Sequence, residues 1–123
     1  TAALRAPAEK RAGAYREVLL AEQLQRMMRS TQAVLEFEDL RIRLNRSADH
    51  DEQARTVERM THVLREELAR TRDSLATARR DSRLGYEWEN DYLCSADMIA
   101  EKIGQLEQTL NTLIPAYRRQ HGI

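Results

Sequence analysis

One short stretch of this chain combines aromatic rings with carboxylates. Tyr86, Trp88 and Tyr92 place half of the six aromatic residues within seven positions. Because alternate residues of an extended backbone point to opposite sides, these rings would share one surface, with Glu87 and Glu89 on the other. Aromatic faces beside carboxylates suit sugars, whose C–H surfaces stack on rings while their hydroxyls bond to acids. The pattern is therefore compatible with a carbohydrate site.

The same stretch also has a structural interpretation, in which Trp88 plugs the end of a helical bundle or docks onto another domain. We favour a Trp88 that is buried at an interface. Glu87 and Glu89 would lie roughly 6–7 Å apart in an extended chain, which overlaps the carboxylate spacing of inverting glycosidases. Catalytic carboxylates also need a walled cleft that raises the pKa of one of them, and a small helical bundle offers no obvious cleft. We therefore predict no catalytic residue in this chain.

The whole segment from residue 81 to residue 94 is longer than the connections usual in helical bundles, and long connections tend to be functional or interfacial. We predict a structured aromatic loop that lines a glycan site or contacts a neighbouring domain. From residue 81 to residue 101 the sequence holds six acidic residues and one arginine, so this surface is acidic. The candidate binding residues of the loop are Asp81, Arg83, Tyr86, Glu87, Trp88, Glu89 and Tyr92.

No metal or cofactor site is predicted elsewhere in the chain. Glu58, His62 and Glu66 share a helix face at four-residue spacing, which could hold a metal ion. Di-iron bundles instead use Glu-x-x-His motifs from paired helices, and the sequence has no second copy of its motif. A solvated charged face is the favoured interpretation. Cys94 has no disulfide partner and is expected to be a small packed side chain.

The overall composition excludes one broad class of function. The 123 residues include 20 basic and 20 acidic side chains, so the net charge is zero. A binder of nucleic acid or anionic lipid needs a surplus of basic residues, and none is present. No apolar run approaches the ~20 residues that span a bilayer, so we predict a soluble chain with no membrane partner. Because the chain begins at Thr1 without Met, we expect a fragment or C-terminal domain of a larger protein.

Helix-start and helix-stop signals predict two long helices in the first two thirds of the chain. Pro7 suits a first helical turn, and the first helix is predicted from about residue 7 to residue 45, a rod of about 57 Å. Ser47 or Asp49 would cap a second helix that ends near Arg79. The short connection predicts that these helices are antiparallel. The second helix carries a packing row at alternating spacings of three and four, namely Val57, Thr61, Leu64, Leu68, Thr71, Leu75 and Ala78.

A third helix is predicted from Ser95, which can serve as its N-cap. Pro115 lacks an N–H group, so the helix is expected to kink or end near Leu113, about 29 Å from its start, unless a last turn resumes through Tyr117 to Arg119. Its apolar residues repeat at helical spacing, namely Ile99, Ile103, Leu106, Leu110, Leu113 and Tyr117. The fold class predicted from these three helices is all-α, an antiparallel three-helix bundle that forms a single domain of residues 1–123.

The first helix is predicted to be too long for the third helix to cover. It carries two apolar arcs, and one of them should remain exposed unless both form one broad buried stripe. The first arc contains Leu20, Leu24, Met27, Met28, Val34, Leu35 and Ile42. The second contains Tyr15, Val18, Leu19, Phe37, Leu40 and Leu44. We predict an intermolecular interface through the second arc, at Tyr15, Val18, Leu19, Phe37 and Leu40.

The string Asp81-Ser-Arg-Leu-Gly-Tyr, followed by an amphipathic helix, resembles the C-terminal helical region of large bacterial glycoside hydrolase-like proteins. The resemblance covers residues 60–107 and is carried by Asp81, Arg83, Gly85 and Tyr86. It implies an accessory helical domain whose catalytic partner domain precedes Thr1. No catalytic role is transferred to any residue of this chain.

Two functions remain open at this point. In the first, the bundle is a non-catalytic accessory domain that docks onto a neighbouring catalytic domain and contributes its loop to the rim of a glycan site. In the second, the bundle is a self-associating adaptor that forms a homo-oligomer and has no role with carbohydrate.

Overall fold

The computed structural model describes residues 8–80, 86–87, 91–92 and 95–123. These residues are helical apart from the turns at the helix ends and two strands of two residues each, which confirms the predicted all-α class. The elements in chain order are α1 Ala8–Arg46, α2 His50–Arg80, β1 Tyr86–Glu87, β2 Asp91–Tyr92, α3 Ala96–Gln108, a π-helical turn Thr109–Leu113 and α4 Ile114–His121. The bounds of α1 and α2 lie within one residue of those predicted.

The turn between α1 and α2 is short because polar side chains satisfy the free backbone groups at both helix ends. The carboxylate of Asp49 accepts hydrogen bonds from the backbone N–H groups of Asp51 and Glu52, each at 3.3 Å. The amide nitrogen of Gln53 reaches back to the carbonyl oxygen of Ser47 at 2.8 Å. The acidic residues in the first turn of α2 also interact favourably with the positive end of its helix dipole. Asp49 is therefore the cap of α2, one of the two residues proposed for it.

Helix α2 packs against both α1 and α3. Its predicted packing row is buried except for the half-buried Leu75. An apolar core lies where the second half of α1 meets the first half of α2 and α4. It contains Leu40, Leu44, Val57, Met60 and Val63, with Ala33, Phe37, Ile114, Tyr117 and Ile123 packed around them.

The third helical segment begins as predicted and then runs further than predicted. The hydroxyl of Ser95 accepts the backbone N–H of Met98 at 3.3 Å, so Ser95 is the N-cap. The segment does not stop near Leu113. In the π-helical turn, the backbone N–H of Ile114 bonds to the carbonyl oxygen of Thr109, five residues back. Such a widened turn accommodates the ring and missing N–H of Pro115 without ending the helix.

Because of this turn, α3 and α4 continue to His121, where Gly122 ends the helix with a φ of 66°. The combined segment of residues 96–121 is about 39 Å long, rather than the predicted ~29 Å. Helix α1, with 39 residues, is about 58 Å long. The inequality between the first and third helices is therefore smaller than expected, and it remains.

The two apolar arcs of α1 are arranged in the opposite way to the prediction. Leu19, Leu40 and Leu44 of the second arc are buried against the rest of the chain, and Phe37 packs on the core. Leu19, Phe37 and Leu40 therefore belong to the intramolecular packing, which corrects their assignment to an interface. Tyr15 and Val18 are exposed. The residues of the first arc that remain exposed are Leu20, Leu24, Met28, Val34, Leu35 and Ile42.

Candidate functional site

The exposed side of α1 carries a continuous line of large apolar side chains, which we call the α1 stripe. It consists of Leu20, Leu24, Met28, Val34, Leu35 and Ile42. Their exposed fractions run from 42% at Ile42 to 71% at Met28. The buried side chains of the same helix lie on the side that faces α2. The α1 stripe is thus an apolar surface that the described part of the chain does not cover.

Three residues of the α1 stripe follow the seven-residue spacing that is found in coiled coils. Met28, Leu35 and Ile42 are seven residues apart, and Ala21 begins the same row. Leu24 lies four residues before Met28, in a second row with Thr31. The first row has the spacing of one apolar position of a heptad repeat, whereas the second row is polar after Leu24.

Two clefts beside the α1 stripe are lined by residues of α1, α2 and α3. The larger has a volume of about 450 Å³ and is lined by residues that include Met27, Ser30, Met98 and Lys102. The smaller has a volume of about 150 Å³, and Val34 and Lys102 both contribute to its wall. Lys102 therefore borders both clefts.

That ion pair belongs to a buried cluster around Glu67, which is only 5% exposed. The Oε1 atom of Glu67 accepts hydrogen bonds from Ser30 Oγ at 2.6 Å and from Lys102 Nζ at 2.5 Å. The Oε2 atom of Glu67 pairs with the guanidinium group of Arg70. Because Ser30 lies on α1, Glu67 and Arg70 on α2 and Lys102 on α3, one carboxylate joins all three helices.

The environment of Glu67 sets its charge. Burial by itself raises the pKa of the carboxyl, but the hydrogen bonds from Lys102 and Ser30 and the positive charges of Lys102 and Arg70 together lower the pKa below its ordinary value. Glu67 is therefore a carboxylate at neutral pH. Its oxygens already accept hydrogen bonds or ion pairs from three side chains, so this carboxylate is suited to holding helices in place rather than to proton transfer.

A second polar contact ties α1 to α2 further from the apolar core. Arg26 donates a hydrogen bond to the hydroxyl of Thr77 at 2.6 Å and lies 3.5 Å from the side-chain oxygen of Gln23. Gln23 is 2% exposed and Thr77 is also buried. This end of the bundle therefore buries polar groups that are hydrogen-bonded, as buried polar groups must be to avoid a loss of stability.

The charged residues at Glu58, His62 and Glu66 form ion pairs. Glu58 accepts a hydrogen bond from Arg118 at 2.7 Å, and Glu66 pairs with His62 at 3.3 Å. Within residues 8–80 and 95–123, no group of three or more His, Cys, Asp or Glu side chains is arranged to hold a metal ion. Among those helices, none is long and apolar enough to span a bilayer.

The predicted aromatic loop is described only in part. The backbones of Tyr86–Glu87 and Asp91–Tyr92 form two antiparallel strands, in which Tyr86 pairs with Tyr92 and Glu87 with Asp91. The candidate binding residues Asp81, Arg83, Trp88 and Glu89 lie outside the described residues, as does Cys94. The predicted aromatic surface and the burial of Trp88 therefore stay predictions.

Sequence reasoning did not single out Glu67, although a signal was present. Met60, Leu64, Glu67 and Thr71 follow one another at spacings of four, three and four, so Glu67 occupies a core position of α2. A charged residue within such a row predicts a buried ion pair, because an unpaired charge is rarely buried. The partners Ser30 and Lys102 come from other helices, and spacing along α2 does not identify them.

Comparisons with protein-family models, with curated proteins and with solved structures find no match to this chain. The resemblance to glycoside hydrolase-like proteins therefore stays a prediction, and the function is argued from the geometry of the chain itself.

Proposed function

We propose that this chain is a non-catalytic docking module, an antiparallel three-helix bundle that binds a partner helix along the α1 stripe. The partner is an amphipathic α-helix with apolar residues at heptad spacing. The observation that carries this proposal is the heptad row of Met28, Leu35 and Ile42, which stays exposed although the same helix has a separate buried side.

The antiparallel arrangement is supported by the order of contacts between helices. Arg26 of α1 bonds to Thr77 of α2, whereas Glu36, ten residues later, pairs with Arg59 at 2.6 Å. Contact positions thus fall along α2 as they rise along α1. The same trend links α2 to the third segment, since Glu67 meets Lys102 and Glu58 meets Arg118.

The number of large apolar side chains exposed along α1 supports docking rather than chance exposure. Single exposed apolar residues are ordinary, but contiguous apolar patches on monomers usually mark interaction sites. Full burial of a half-exposed Leu, Met or Ile side chain contributes about 1 kcal/mol, so the six side chains of the stripe would contribute about 6 kcal/mol. Two such surfaces together offset a large part of the cost of association, about 4–15 kcal/mol.

Binding of a designed helical peptide to the chain tests this proposal directly. The probe is a synthetic helical peptide with Leu at every a and d position and charged residues elsewhere. We expect the chain to bind it, with Met28→Glu and Leu35→Glu each lowering the affinity by at least about ten-fold, because a buried unpaired carboxylate is costly. Binding is measured by fluorescence anisotropy of the labelled peptide.

Val18→Glu is the matched control for these variants. Val18 is also an exposed apolar residue of α1, 53% exposed, and it lies outside the α1 stripe. We expect this variant to bind the probe like the wild type. Equal losses in all three variants, or no binding by the wild type, would refute docking along the stripe.

The carbohydrate role is a second candidate function, favoured only by the sequence of residues 81–94. We propose that this loop lines the rim of a glycan site on a preceding catalytic domain, as the resemblance implies. Trp88→Ala is expected to destabilise the docked domains by a few kcal/mol if the ring anchors an interface. Loss of oligosaccharide affinity with unchanged thermal stability would instead identify Trp88 as a sugar platform.

A further inference from the structure

We propose that the larger of the two clefts binds a small organic monocarboxylate, in which an apolar chain joins the carboxylate to a second hydrogen-bond acceptor. The volume of this cleft, about 450 Å³, lies within the range of about 300–1,000 Å³ that is usual for small-molecule sites. Three features of its wall support the proposal: one cation, one buried amide with an unused donor, and an apolar surface. Binding there does not require a helix to dock along the α1 stripe.

The cation is Lys102. Among the described residues that line the cleft, it is the only charged one. Its ammonium group donates to Glu67 at 2.5 Å, and its side chain stays 42% exposed, so further N–H groups are available to a ligand. Glu67 is shared between Lys102 and Arg70, so one carboxylate faces two cations and the group keeps a net positive charge. A carboxylate on the ligand would balance this charge and accept a charge-assisted hydrogen bond.

The buried amide is Gln23, which is 2% exposed and lines the same cleft. Its side-chain oxygen lies 3.5 Å from Arg26, whereas its side-chain nitrogen donates no hydrogen bond to any described residue. Every fully buried side-chain nitrogen or oxygen among the described residues has a partner, so this nitrogen keeps an opening to the cleft. A donor held in this way favours a ligand that offers it an acceptor.

The spacing of these two donors sets the length of the ligand. Gln23 and Ser30 are seven residues apart, about 10 Å along α1. Ser30 and Lys102 bond to the same oxygen of Glu67, so the ammonium group lies near the level of Ser30. The carboxylate of the ligand and its second acceptor should therefore be about 10 Å apart.

The surface between the two donors is apolar. Met27 lies between Gln23 and Ser30 on α1, and Met98 and Ile99 of α3 also line the cleft. Methionine side chains adapt their shape to an apolar ligand. A chain of methylene groups is therefore the matching middle part of the ligand.

Methionine methyl groups report directly on binding at this place. The chain has four methionines. Met27 and Met98 line the cleft, whereas Met28 lies on the α1 stripe and Met60 lies in the apolar core. The probe is monomethyl suberate, which carries a carboxylate and an ester joined by methylene groups. We expect its titration into the wild-type chain, labelled with ¹³C at the methionine methyl groups, to shift the NMR signals of Met27 and Met98 saturably and to leave those of Met28 and Met60 in place.

Two related ligands test the two ends of the site in the wild-type chain. Dimethyl suberate lacks the carboxylate and should bind at least about ten-fold more weakly than monomethyl suberate. Octanoate lacks the second acceptor and should bind about five-fold more weakly. Gln23→Leu should abolish the difference between octanoate and monomethyl suberate. Gln25→Leu is the matched control, since Gln25 is exposed and lies outside the lining of this cleft, and it should keep that difference.

The remaining outcomes would overturn the proposal. Equal affinity for the charged and the neutral ester would remove the role of Lys102, and equal affinity for octanoate would remove that of Gln23. Shifts at Met28 instead of Met27 and Met98 would place the ligand on the α1 stripe. Equal shifts at all four methionines, or no shift at millimolar ligand, would show that the cleft is not a binding site.

Discussion

Both ends of this bundle bury apolar side chains, and they differ in the polar side chains that are buried with them. At one end, Leu40 and Leu44 pack on Val57 and Met60 in an apolar core. At the other end, the buried side chains include Gln23, Glu67, Thr71 and Thr77, which are hydrogen-bonded. Apolar packing is non-directional, so it stabilises the fold without strongly selecting one alignment of the helices. Directional bonds to Glu67 select the alignment in which Ser30 and Lys102 reach it.

The comparison also explains how one helix can serve two surfaces. Helix α1 buries Leu19, Leu40 and Leu44 in the packing of the chain, and it leaves the α1 stripe exposed, where we propose that a partner binds. Its two sides can be separated experimentally, since variants of the core should change the free energy of unfolding while variants of the stripe should change association. The Glu67 cluster is a third element, which should affect stability through charge rather than through packing.

The largest effect is expected from the apolar core. Leu40→Ala removes a side chain that is 8% exposed, and truncations of buried Leu destabilise proteins by about 2–5 kcal/mol. We expect urea unfolding of this variant to show a loss in that range. Leu35→Ala is the control, because Leu35 is 68% exposed, and its free energy of unfolding should change by less than about 0.5 kcal/mol. Equal losses in the two variants would contradict the assignment of the two sides of α1.

The next largest effect is expected from removal of the charge at Glu67. Glu67→Gln keeps the shape of the side chain but leaves Lys102 and Arg70 without their carboxylate, and breaking such partly buried pairs costs about 2–3 kcal/mol. Glu66→Gln is the matched control, since Glu66 is the exposed neighbour of Glu67 and pairs with His62. It should cost less than about 0.5 kcal/mol. A stability of Glu67→Gln equal to that of the wild type would show that the cluster does not hold the helices.

A smaller effect is expected when acid titrates the same carboxylate. Because the surroundings of Glu67 lower its pKa below the ordinary 4.5, its charged form stabilises the folded state. That contribution is complete above pH 4.5 and is lost as the pH falls through the lowered pKa. We expect the thermal midpoint of the wild type to drop below pH 4.5 more steeply than that of Glu67→Gln. Glu66→Gln should keep the steep dependence of the wild type, and the reverse pattern would contradict this role for Glu67.

Much of the fold could be predicted from the sequence because its signals are local. The caps at Asp49 and Ser95 and the apolar row of α2 depend on residues within one or two turns of each other. The length of the third segment could not be predicted from Pro115 alone, since the π-helical turn that accommodates it involves residues 109–113 together. A proline indicates that the regular helix is interrupted at that point. It does not indicate whether the helix ends, kinks or widens into a π-helical turn.

The candidate site could be predicted only in part. Both apolar arcs of α1 were visible in the sequence, but they are of similar size, and their order along α1 does not tell which one faces α2. Contacts between helices decide this, and they bury Leu19 and Leu40 while leaving Leu24 and Leu35 exposed. The Glu67 cluster was missed for the same reason, because its partners lie 37 and 35 residues away along the chain.

The smallest effect is expected at Gly104, close to Lys102 at the polar end of the bundle. Gly104 lies inside α3, and a Cβ atom added there would meet no atom within 4 Å. Because glycine is a poor helix former, Gly104→Ala should stabilise the chain by about 0.5–1 kcal/mol in thermal or urea unfolding. Gly122→Ala should have the opposite sign, since the φ of 66° at this residue is strained for alanine. Destabilisation by Gly104→Ala would mean that α3 approaches a neighbour more closely at this position, as it would if a partner covered the polar end.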